Sequence, residues 1–463
     1  MSISSYLRKF KGNSFFLPAH NRGQSLPKEL IKILHHDPGK WDLPELPAFG
    51  GPLMKGGIVS NSQDLSALSF NADSCWYGVN GATGLIQSAI LSIAKPGEGL
   101  LVPRNVHKSA INACILGDIN PFIYDLPISN ETGHFIPPDK NWLSNILKKA
   151  ALEENKISGI LIVNPTYQGF NSDIIKLVDI VHQYNLPVIV DEAHGTYFAA
   201  NLDQLPSSAL DSEADIVVNS LHKSATGLGQ TAVLWHKGSR VNPCIISKSI
   251  ELLQTSSPSS LLLASCESTL LEIKSSKWKS NLKKKLDKAK GIYNKLLELN
   301  IPVCKTQDPL KIVLHTAKSG INGIEFDAFL ISKGIFAELP EPSSLTFCLG
   351  FSQNNQFVSS LRKNWHEFLP RQKNNCFKYD HQLPDFPLIS KGISCRDANN
   401  SEFKFKRIED CQGETSKDFI CPYPPGIPLL IPGESISNEH IQWLIRQKKY
   451  WPKDIPDELR VVT

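Results

Sequence analysis

A lysine and a carboxylate stand where two short apolar runs of this chain end. Asp191 closes the run that begins at 188, and Lys223 follows the run 216–218 after a few polar residues. If both runs are strands of one parallel sheet, their carboxyl ends lie at the same edge of that sheet. A lysine amine can hold an aldehyde as a Schiff base, and a carboxylate can pair with a protonated ring nitrogen. This pair is what pyridoxal 5'-phosphate (PLP) chemistry requires.

Both residues also have an ordinary structural explanation. A buried carboxylate such as Asp191 can cap a helix or form an internal salt bridge, and most lysines lie at the surface. Lys223, however, follows an apolar run and has few charged neighbours in the sequence. A Schiff-base lysine must be neutral part of the time, and burial lowers the pKa of an amine from about 10.4.

A glycine-rich turn at 78–84 precedes an apolar stretch at 85–93 with helical character. Small residues let the backbone approach an anion, the start of a helix offers free N–H groups, and Thr83 adds a hydroxyl. Taken alone this turn is weak evidence for a phosphate site, because its spacing matches neither the P-loop nor GxGxxG. Ser220 and His222 flank the lysine and are placed to hold the same phosphate.

Two further histidines have open interpretations. His107 follows another strand end, where a flat imidazole can stack on a cofactor ring or belong to a helix-capping loop. His194 lies three residues after Asp191 and can reach the same cavity, although a lone histidine is as often structural.

The elements that would position these side chains form an α/β pattern. Six short apolar runs alternate with helical stretches, at 100–102, 121–124, 159–163, 188–190, 216–218 and 231–235. Strands that are buried on both faces and alternate with helices indicate a mainly parallel sheet. We predict a PLP-binding large domain over 61–265, preceded by an N-terminal arm over 1–60.

The remaining residues, 266–463, predict a smaller C-terminal α+β domain. Apolar residues recur at helical spacing from 266 to about 300, which predicts one long helix. Weaker alternating runs at 311–315 and 345–349 predict strands. The polar stretch 370–420 predicts a long surface connection.

Composition restricts the possible partners. The chain has 463 residues, a net charge of only +4 and ten cysteines, so nothing favours nucleic acid or a membrane surface. No CxxC pair occurs and we expect no metal site. No signal-peptide pattern and no apolar run of about 20 residues is present. We therefore expect a cytoplasmic protein with reduced cysteines.

Taken together, these stretches resemble the ornithine/lysine/arginine decarboxylase family, the PLP-dependent group with the aspartate aminotransferase-like fold, fold type I. The resemblance covers most of the chain. It rests, in chain order, on residues 18–23, 42–46, 80–84, 104–109, 164–167, 191–195, 220–223, 255–259, 423–428 and 432–434.

This resemblance implies a role for each matching residue. Lys223 would form the Schiff base, Asp191 would pair with the ring nitrogen and His107 would stack on the ring. His194 would lie near the ring and the substrate. The residues that would hold the phosphate are Ala82, Thr83, Ser220 and His222.

The resemblance also implies a homodimer with shared active sites. Thr255, Ser256 and Ser257 are similar to a stretch that reaches into the neighbouring subunit's site. Glu338 matches an acidic position in the C-terminal domain and is a candidate for the distal cationic group of the substrate. The departures from the family pattern bear on substrate preference and are Ala19, Ala82, Gln168 and Thr196-Tyr197.

The implied activity is decarboxylation of arginine, lysine or ornithine to the corresponding amine. One alternative is another PLP reaction such as transamination, which usually needs an arginine for the substrate's α-carboxylate; Arg362, Arg371 and Arg396 are available. A second alternative is a non-catalytic paralogue that binds PLP or a polyamine and acts through a partner.

Overall fold

A computed structural model of the chain describes residues 3–10, 12–35, 37–129, 131–153, 156–351, 356–369, 392–421 and 429–463. Arg371 and the stretch 423–428 of the family resemblance lie outside these residues. The first elements are α1 (Ile3–Lys9), β1 (Asn13–Ser14) and α2 (Lys28–His35). Short 3-10 helices span Pro38–Trp41, Thr196–Ala200, Ala209–Asp211, Thr316–Ser319 and Ile408–Asp410.

A seven-stranded sheet forms the centre of the large domain. Its strands are β2 (Ser74–Gly78), β3 (Gly99–Pro103), β4 (Asn120–Tyr124), β5 (Ile157–Val163), β6 (Val188–Asp191), β7 (Ile216–Ser220) and β8 (Ala232–His236). They lie in the order β2-β8-β7-β6-β5-β3-β4, and β8 is antiparallel to both of its neighbours. All six predicted strands are confirmed, and so is the mainly parallel sheet. The sequence analysis missed β2.

Helices cover both faces of this sheet. They are α3 (Gly57–Ser69), α4 (Gly81–Ile93), α5 (Lys108–Gly117), α6 (Lys140–Ala150), α7 (Ile174–Gln183), α8 (Leu221–Ser224) and α9 (Pro243–Leu253). Alternate residues of one strand enter different cores: Val188 and Val190 pack in one apolar cluster, and Ile189 packs in the other. Burial on both faces explains why the strands read as continuous apolar runs.

The predicted long helix after 266 is wrong in one respect, because it is two helices. These are α10 (Ser260–Lys274) and α11 (Ser276–Glu298). Ser275 between them has extended backbone with ψ of 138° and accepts a hydrogen bond from Trp278 N, so it caps α11. A serine at this position ends one helix and starts the next.

A smaller antiparallel sheet follows in the C-terminal part, as predicted. The elements are β9 (Lys311–Leu314), α12 (Gly323–Ser332), β10 (Ile335–Phe336), β11 (Leu339–Pro340), β12 (Leu345–Cys348) and α13 (Phe357–Phe368). The strand order is β11-β12-β9. Phe326, Phe347 and Trp365 lie in the core of this part.

The last elements have an apolar core of their own around Ile408, Leu444 and Leu459. They are α14 (Cys395–Asn400), β13 (Phe403–Arg407), α15 (Asn438–Lys448) and β14 (Glu458–Val462), with β13 antiparallel to β14. The predicted surface connection over 370–420 is therefore wrong for the described part that holds α14 and β13. Its residues 370–391 lie outside the described residues.

The N-terminal arm joins the small sheet to the large domain. β1 lies parallel to β10, and Leu17 N donates to Glu338 Oε2 at 2.7 Å. Two residues further on, Ala19 N donates to the carbonyl of His222 on α8 at 2.9 Å. The arm thus contacts both the C-terminal strands and the short helix that carries Lys223. Within the described stretches, no helix has the length and apolarity to cross a bilayer.

Candidate active site

A cavity of about 260 Å³ lies at the carboxyl ends of β6 and β7. Eight of the predicted site residues line it: Ala82, Thr83, His107, Asp191, His194, Ser220, His222 and Lys223. They come from four separate segments of the chain, 82–83, 107, 191–194 and 220–223, which the parallel sheet brings to one edge. The eight side chains therefore lie around one cavity, and the roles expected for them stay predictions.

Lys223 lies on α8, the single helical turn that follows β7. Its Nζ is 3.4 Å from Nε2 of His194. Burial lowers the pKa of Lys223, and the nearby ammonium of Lys311 lowers it further, while Asp191 and Glu338 oppose the shift. A lowered pKa increases the neutral fraction of the amine, which is the nucleophilic form.

Asp191 is the last residue of β6 and is 6% exposed. Its Oδ1 accepts a hydrogen bond from Ala193 N at 3.0 Å. Burial raises the pKa of this carboxyl, and the bond from Ala193 and the charge of Lys223 counteract that rise. A buried carboxylate of this kind gains from a cationic partner in the cavity, such as a protonated pyridine nitrogen.

The side chain of the neighbouring residue, Glu192, does not line the cavity. Glu192 is fully buried, and its two carboxylate oxygens accept hydrogen bonds from Ala209 N and from the side chains of Ser208 and Asn219. Among the residues of the Asp-Glu-Ala-His-Gly motif, Glu192 therefore anchors the loop and does not line the cavity.

The start of α4 forms an anion cradle in the cavity wall. Gly81 adopts a positive φ of 69°, and a Cβ added there would meet nothing within 4 Å. The N-cap residue Asn80 makes no side-chain hydrogen bond to the first turn of α4, and Gly81, Ala82 and Thr83 line the cavity. Helix N-termini of this kind bind phosphate groups.

Ser220 and His222 complete the cradle from the other side. Ser220 Oγ lies 3.2 Å from His222 Nδ1, which is also 3.2 Å from the carbonyl oxygen of Thr231. Because a carbonyl oxygen can only accept, Nδ1 donates this hydrogen bond and carries the proton, which leaves Nε2 as the other polar atom of the ring.

His107 is the N-cap of α5, and its Nδ1 accepts a hydrogen bond from Ser109 N at 3.2 Å. Burial, followed by the charges of Lys223 and Lys108, lowers the pKa of His107 to about 4. The helix-capping interpretation is confirmed, and the ring also lines the cavity; stacking on a cofactor ring stays a prediction. It presents a neutral, flat face.

His194 packs against Tyr167, with ring centroids 4.2 Å apart. Burial, with the charge of Lys223 next, lowers the pKa of His194 well below its ordinary value. Its Nδ1 is buried, and no residue in the described part of the chain bonds to it. Tyr167 lines the cavity too and was quoted in the family resemblance without a role.

These residues fit PLP. The cavity offers an uncapped helix start for the phosphate, a buried carboxylate for the ring nitrogen and a lysine of lowered pKa for the aldehyde. The orphaned Nδ1 of His194 is a further polar atom for which the described chain supplies no partner. The helix start, the carboxylate and the lysine each match the chemistry of one part of the cofactor.

Four of the predicted residues do not line the cavity. Glu338 lies behind Tyr167, and it accepts hydrogen bonds from the Tyr167 hydroxyl and from Leu17 N. The other three, Thr255, Ser256 and Ser257, are exposed in the link between α9 and α10. Their role in a partner subunit's site stays a prediction.

The sequence analysis did not identify Lys311 as part of this region. Its Nζ lies 3.0 Å from Cys348 Sγ and 5.6 Å from the centroid of the Tyr167 ring. Burial alone would lower the pKa of Lys311, but Cys348 and Asp308 raise it on balance. Lys311 and Cys348 are paired across β9 and β12, and only that register could have signalled the contact.

The arginines considered for a transaminase-type carboxylate site lie elsewhere. Arg362 is exposed on α13, and Arg396 on α14 donates to the carbonyl oxygens of Ile115 and Leu116. Neither of these two described residues lines the cavity.

The buried imidazoles predict that the cofactor-free protein loses stability in mild acid. Burial lowers the pKa of His107 and of His222 to about 4, and it lowers the pKa of His194 well below its ordinary value. Because the unfolded chain has histidine pKa values near ~6.5, it binds more protons than the folded protein below that pH. The stabilisation is complete above about pH 6.5 and is lost as the pH falls towards about 4, by at most about 1.4 kcal/mol per pH unit for each histidine.

Urea denaturation at several pH values between 7.5 and 5 measures this loss. The slope of the free energy of unfolding against pH reports how many more protons the unfolded chain binds. His222→Gln should reduce this slope by the equivalent of about one proton. His35→Gln, at an exposed position on α2, is the control and should leave the slope unchanged. Equal slopes for wild type and His222→Gln would show that His222 is already protonated in the folded state.

Comparisons with known proteins give these residues a context. Residues 2–301 match the family model described as Orn/Lys/Arg decarboxylase, major domain, and residues 387–456 match Orn/Lys/Arg decarboxylase, C-terminal domain. An arginine decarboxylase of Bacillus anthracis is 29% identical over 448 residues, which is 93% of this chain and 89% of that protein. An arginine decarboxylase of Bacillus subtilis is 29% identical over 449 residues, with 93% and 90% covered.

The fold also matches a solved structure. The constitutive lysine decarboxylase of Escherichia coli superimposes with a TM-score of 0.75 at 18% identity, over 99% of this chain and 81% of that one. At 18% identity this similarity shows the fold alone. It confirms the predicted α/β large domain with its mainly parallel sheet and the smaller C-terminal part.

Proposed function

The chain belongs to the Orn/Lys/Arg decarboxylase family, and we propose from this premise that it converts a basic amino acid to the corresponding amine and carbon dioxide, with PLP as cofactor. The observation that carries the proposal is the placement of Lys223, Asp191 and His107 around one cavity beside an uncapped helix start. Among arginine, lysine and ornithine we propose arginine, because the Bacillus anthracis and Bacillus subtilis relatives, both 29% identical, are named arginine decarboxylases.

In this proposal each part of the site holds one part of the cofactor. Lys223 holds the aldehyde, and the first turn of α4 with Ser220 and His222 holds the phosphate. His107 offers a neutral face to the ring. When bound, PLP supplies an electron sink for the electron pair that stays at the α-carbon after carbon dioxide leaves.

Asp191 keeps the electron sink effective. Its carboxylate has one hydrogen-bond donor in Ala193 N and retains acceptor capacity towards the cavity. A protonated ring nitrogen donates to a carboxylate in a low-dielectric site with a strong, charge-assisted bond. That interaction favours the electron-withdrawing, protonated state of the ring.

Lys223 and His194 handle the proton that completes the product. Lys223 Nζ can deliver a proton to the α-carbon of the substrate once carbon dioxide has left. His194 Nε2, at 3.4 Å, lies within reach to orient that amine. The lowered pKa of His194 keeps its imidazole neutral, so it accepts a hydrogen bond from the lysine ammonium.

A homodimer and a cytoplasmic location are further parts of the proposal. In favour of the homodimer, α3 exposes Ile58, Leu65 and Leu68 on one side, each at least 60% accessible in the single chain. Apolar side chains in a row at helical spacing are typical of a surface that another subunit covers. The exposed Thr255–Ser257 link is available to such a partner.

Carbon dioxide release by the purified PLP-loaded protein tests the proposed function. Arginine, lysine and ornithine are each supplied as substrate, and the amine product is measured in parallel with the gas. We expect arginine to give the highest kcat/KM and to yield one amine per carbon dioxide. A protein that releases no carbon dioxide from any of the three, and forms a keto acid instead, would contradict decarboxylation and support transamination.

A further inference from the structure

A buried polar network stands directly behind one wall of the cavity. Gln168, which lines the cavity, donates from Nε2 to both carboxylate oxygens of Glu341, at 3.1 and 3.0 Å. Glu341 also accepts from Ser344 Oγ at 3.1 Å and lies 3.3 Å from His134 Nε2. All four residues are at most 8% exposed. Three distant segments of the chain meet in this network.

The network fixes how the amide of Gln168 points. With the amide reversed, Oε1 would face a carboxylate at about 3 Å, and two acceptors would repel each other. Although burial acts to raise the pKa of Glu341, its interaction with His134 and the hydrogen bonds from Gln168 and Ser344 lower it on balance, so the group stays ionised. Glu341 therefore holds Nε2, and Oε1 is left as the polar atom that Gln168 can offer to the cavity.

Oε1 is a hydrogen-bond acceptor without a donor from the described part of the chain. Within the described residues, Gln168 forms hydrogen bonds through Nε2 alone, and its Oε1 is not a fully buried atom that lacks a partner. An amide oxygen backed by an ionised carboxylate lies in negative potential. It suits a ligand group that is cationic and rich in N–H donors.

We propose that Gln168 is a specificity-determining residue whose Oε1 accepts a hydrogen bond from the distal ammonium or guanidinium group of the substrate, and that Glu341 is its positioning residue. This inference rests on the proposed function for the substrate class and names the atom that recognises it. The substrate's α-carboxylate is a poor occupant of the same place. Gln168 Nε2 is already engaged by Glu341, and a second carboxylate would be repelled by the first.

Binding of amines to the PLP-loaded protein tests the inference without requiring turnover. The probes are agmatine and cadaverine, which carry a distal cation, and pentylamine, which does not. Each is titrated against the visible absorbance of the cofactor to obtain an apparent Kd. We expect the wild type to bind the two dications at least about tenfold more tightly than pentylamine, as one charge-assisted hydrogen bond in a buried site allows.

Gln168→Met removes the acceptor and keeps the length of the side chain. It should reduce the preference for agmatine and cadaverine by about tenfold or more, with the Kd of pentylamine unchanged. Gln204→Met is the matched control, because Gln204 is exposed and likewise donates its amide to a carboxylate, that of Asp287. Glu341→Gln frees the amide of Gln168 to rotate and should weaken the preference for the two dications, while the affinity for pentylamine stays the same.

The outcomes separate this inference from the proposed function. If Gln168→Met weakens all three amines equally, or none of them, Gln168 does not read the distal cation and the inference is wrong, whatever the protein decarboxylates. If Gln168→Met selectively lowers affinity for the dications but the wild type releases no carbon dioxide from basic amino acids, the inference stands and decarboxylation is wrong. Thermal midpoints of the variants identify any that fail to fold, and in that case Glu341→Gln decides.

Discussion

Replacing Lys223 with alanine is expected to abolish amine formation and to remove the borohydride-sensitive visible absorbance of the cofactor. Lys223 is the lysine on the cavity wall next to Asp191, and burial lowers its pKa so that the amine can act as a nucleophile. Loss of the group that holds a covalent cofactor typically costs several powers of ten in rate, so we expect kcat/KM to fall by at least about a thousandfold.

A matched lysine makes this result specific. Lys237 forms an ion pair with Glu213 at 2.8 Å just after β8, at the other end of the sheet. Lys237→Ala should keep both the absorbance and the rate. If Lys223→Ala still releases carbon dioxide at the wild-type rate, the site assignment is wrong, whereas a wild type that binds PLP but turns over no basic amino acid would favour the non-catalytic alternative.

Asp191→Asn is expected to lower kcat by about a hundredfold or more while the protein still takes up PLP. Asparagine preserves the size of the side chain and can keep the contact with Ala193 N, but it has no charge to pair with a protonated ring nitrogen. The loss of one buried, charge-assisted interaction that strengthens as negative charge develops on the ring accounts for a change of this size.

Two measurements distinguish this effect from loss of the cofactor. The visible absorbance reports occupancy and should persist in Asp191→Asn, whereas kcat should fall with little change in KM. Asp203→Asn, at an exposed position, is the control and should match the wild type. A variant of Asp191 with normal kcat would mean that the ring nitrogen is not protonated through this carboxylate.

The strand ends of this protein could be predicted because the signals are local. Runs of β-branched and apolar residues mark strands buried on both faces, and the side chains that follow β6 and β7 share an edge for topological reasons. β2 escaped prediction because Ser74–Gly78 contains no β-branched residue. Its place in the sheet comes from pairing with β8, which is far away in the sequence.

The contacts behind the cavity wall at Gln168 could not be predicted, because they too join segments that are far apart in the sequence. Gln168 and Glu341 are 173 positions apart, and Lys311 meets Cys348 only through the register of β9 and β12. Position 168 was noticed as a departure from the family pattern, yet its partner depends on how the small sheet packs against the large domain. Contacts between distant segments of this kind are set by tertiary structure and leave no local pattern.

The arm that joins β10 to α8 has a consequence for how the protein matures. Leu17 and its acceptor Glu338 are 321 positions apart. At a synthesis rate of about 5–20 residues per second, this interval takes a ribosome roughly 15 to 65 seconds. The arm must therefore wait for a segment that is made 321 positions later before it can dock there. A change to residues 17–19 would therefore act on contacts with Glu338 and with the helix that carries Lys223, which form only after those later segments are made.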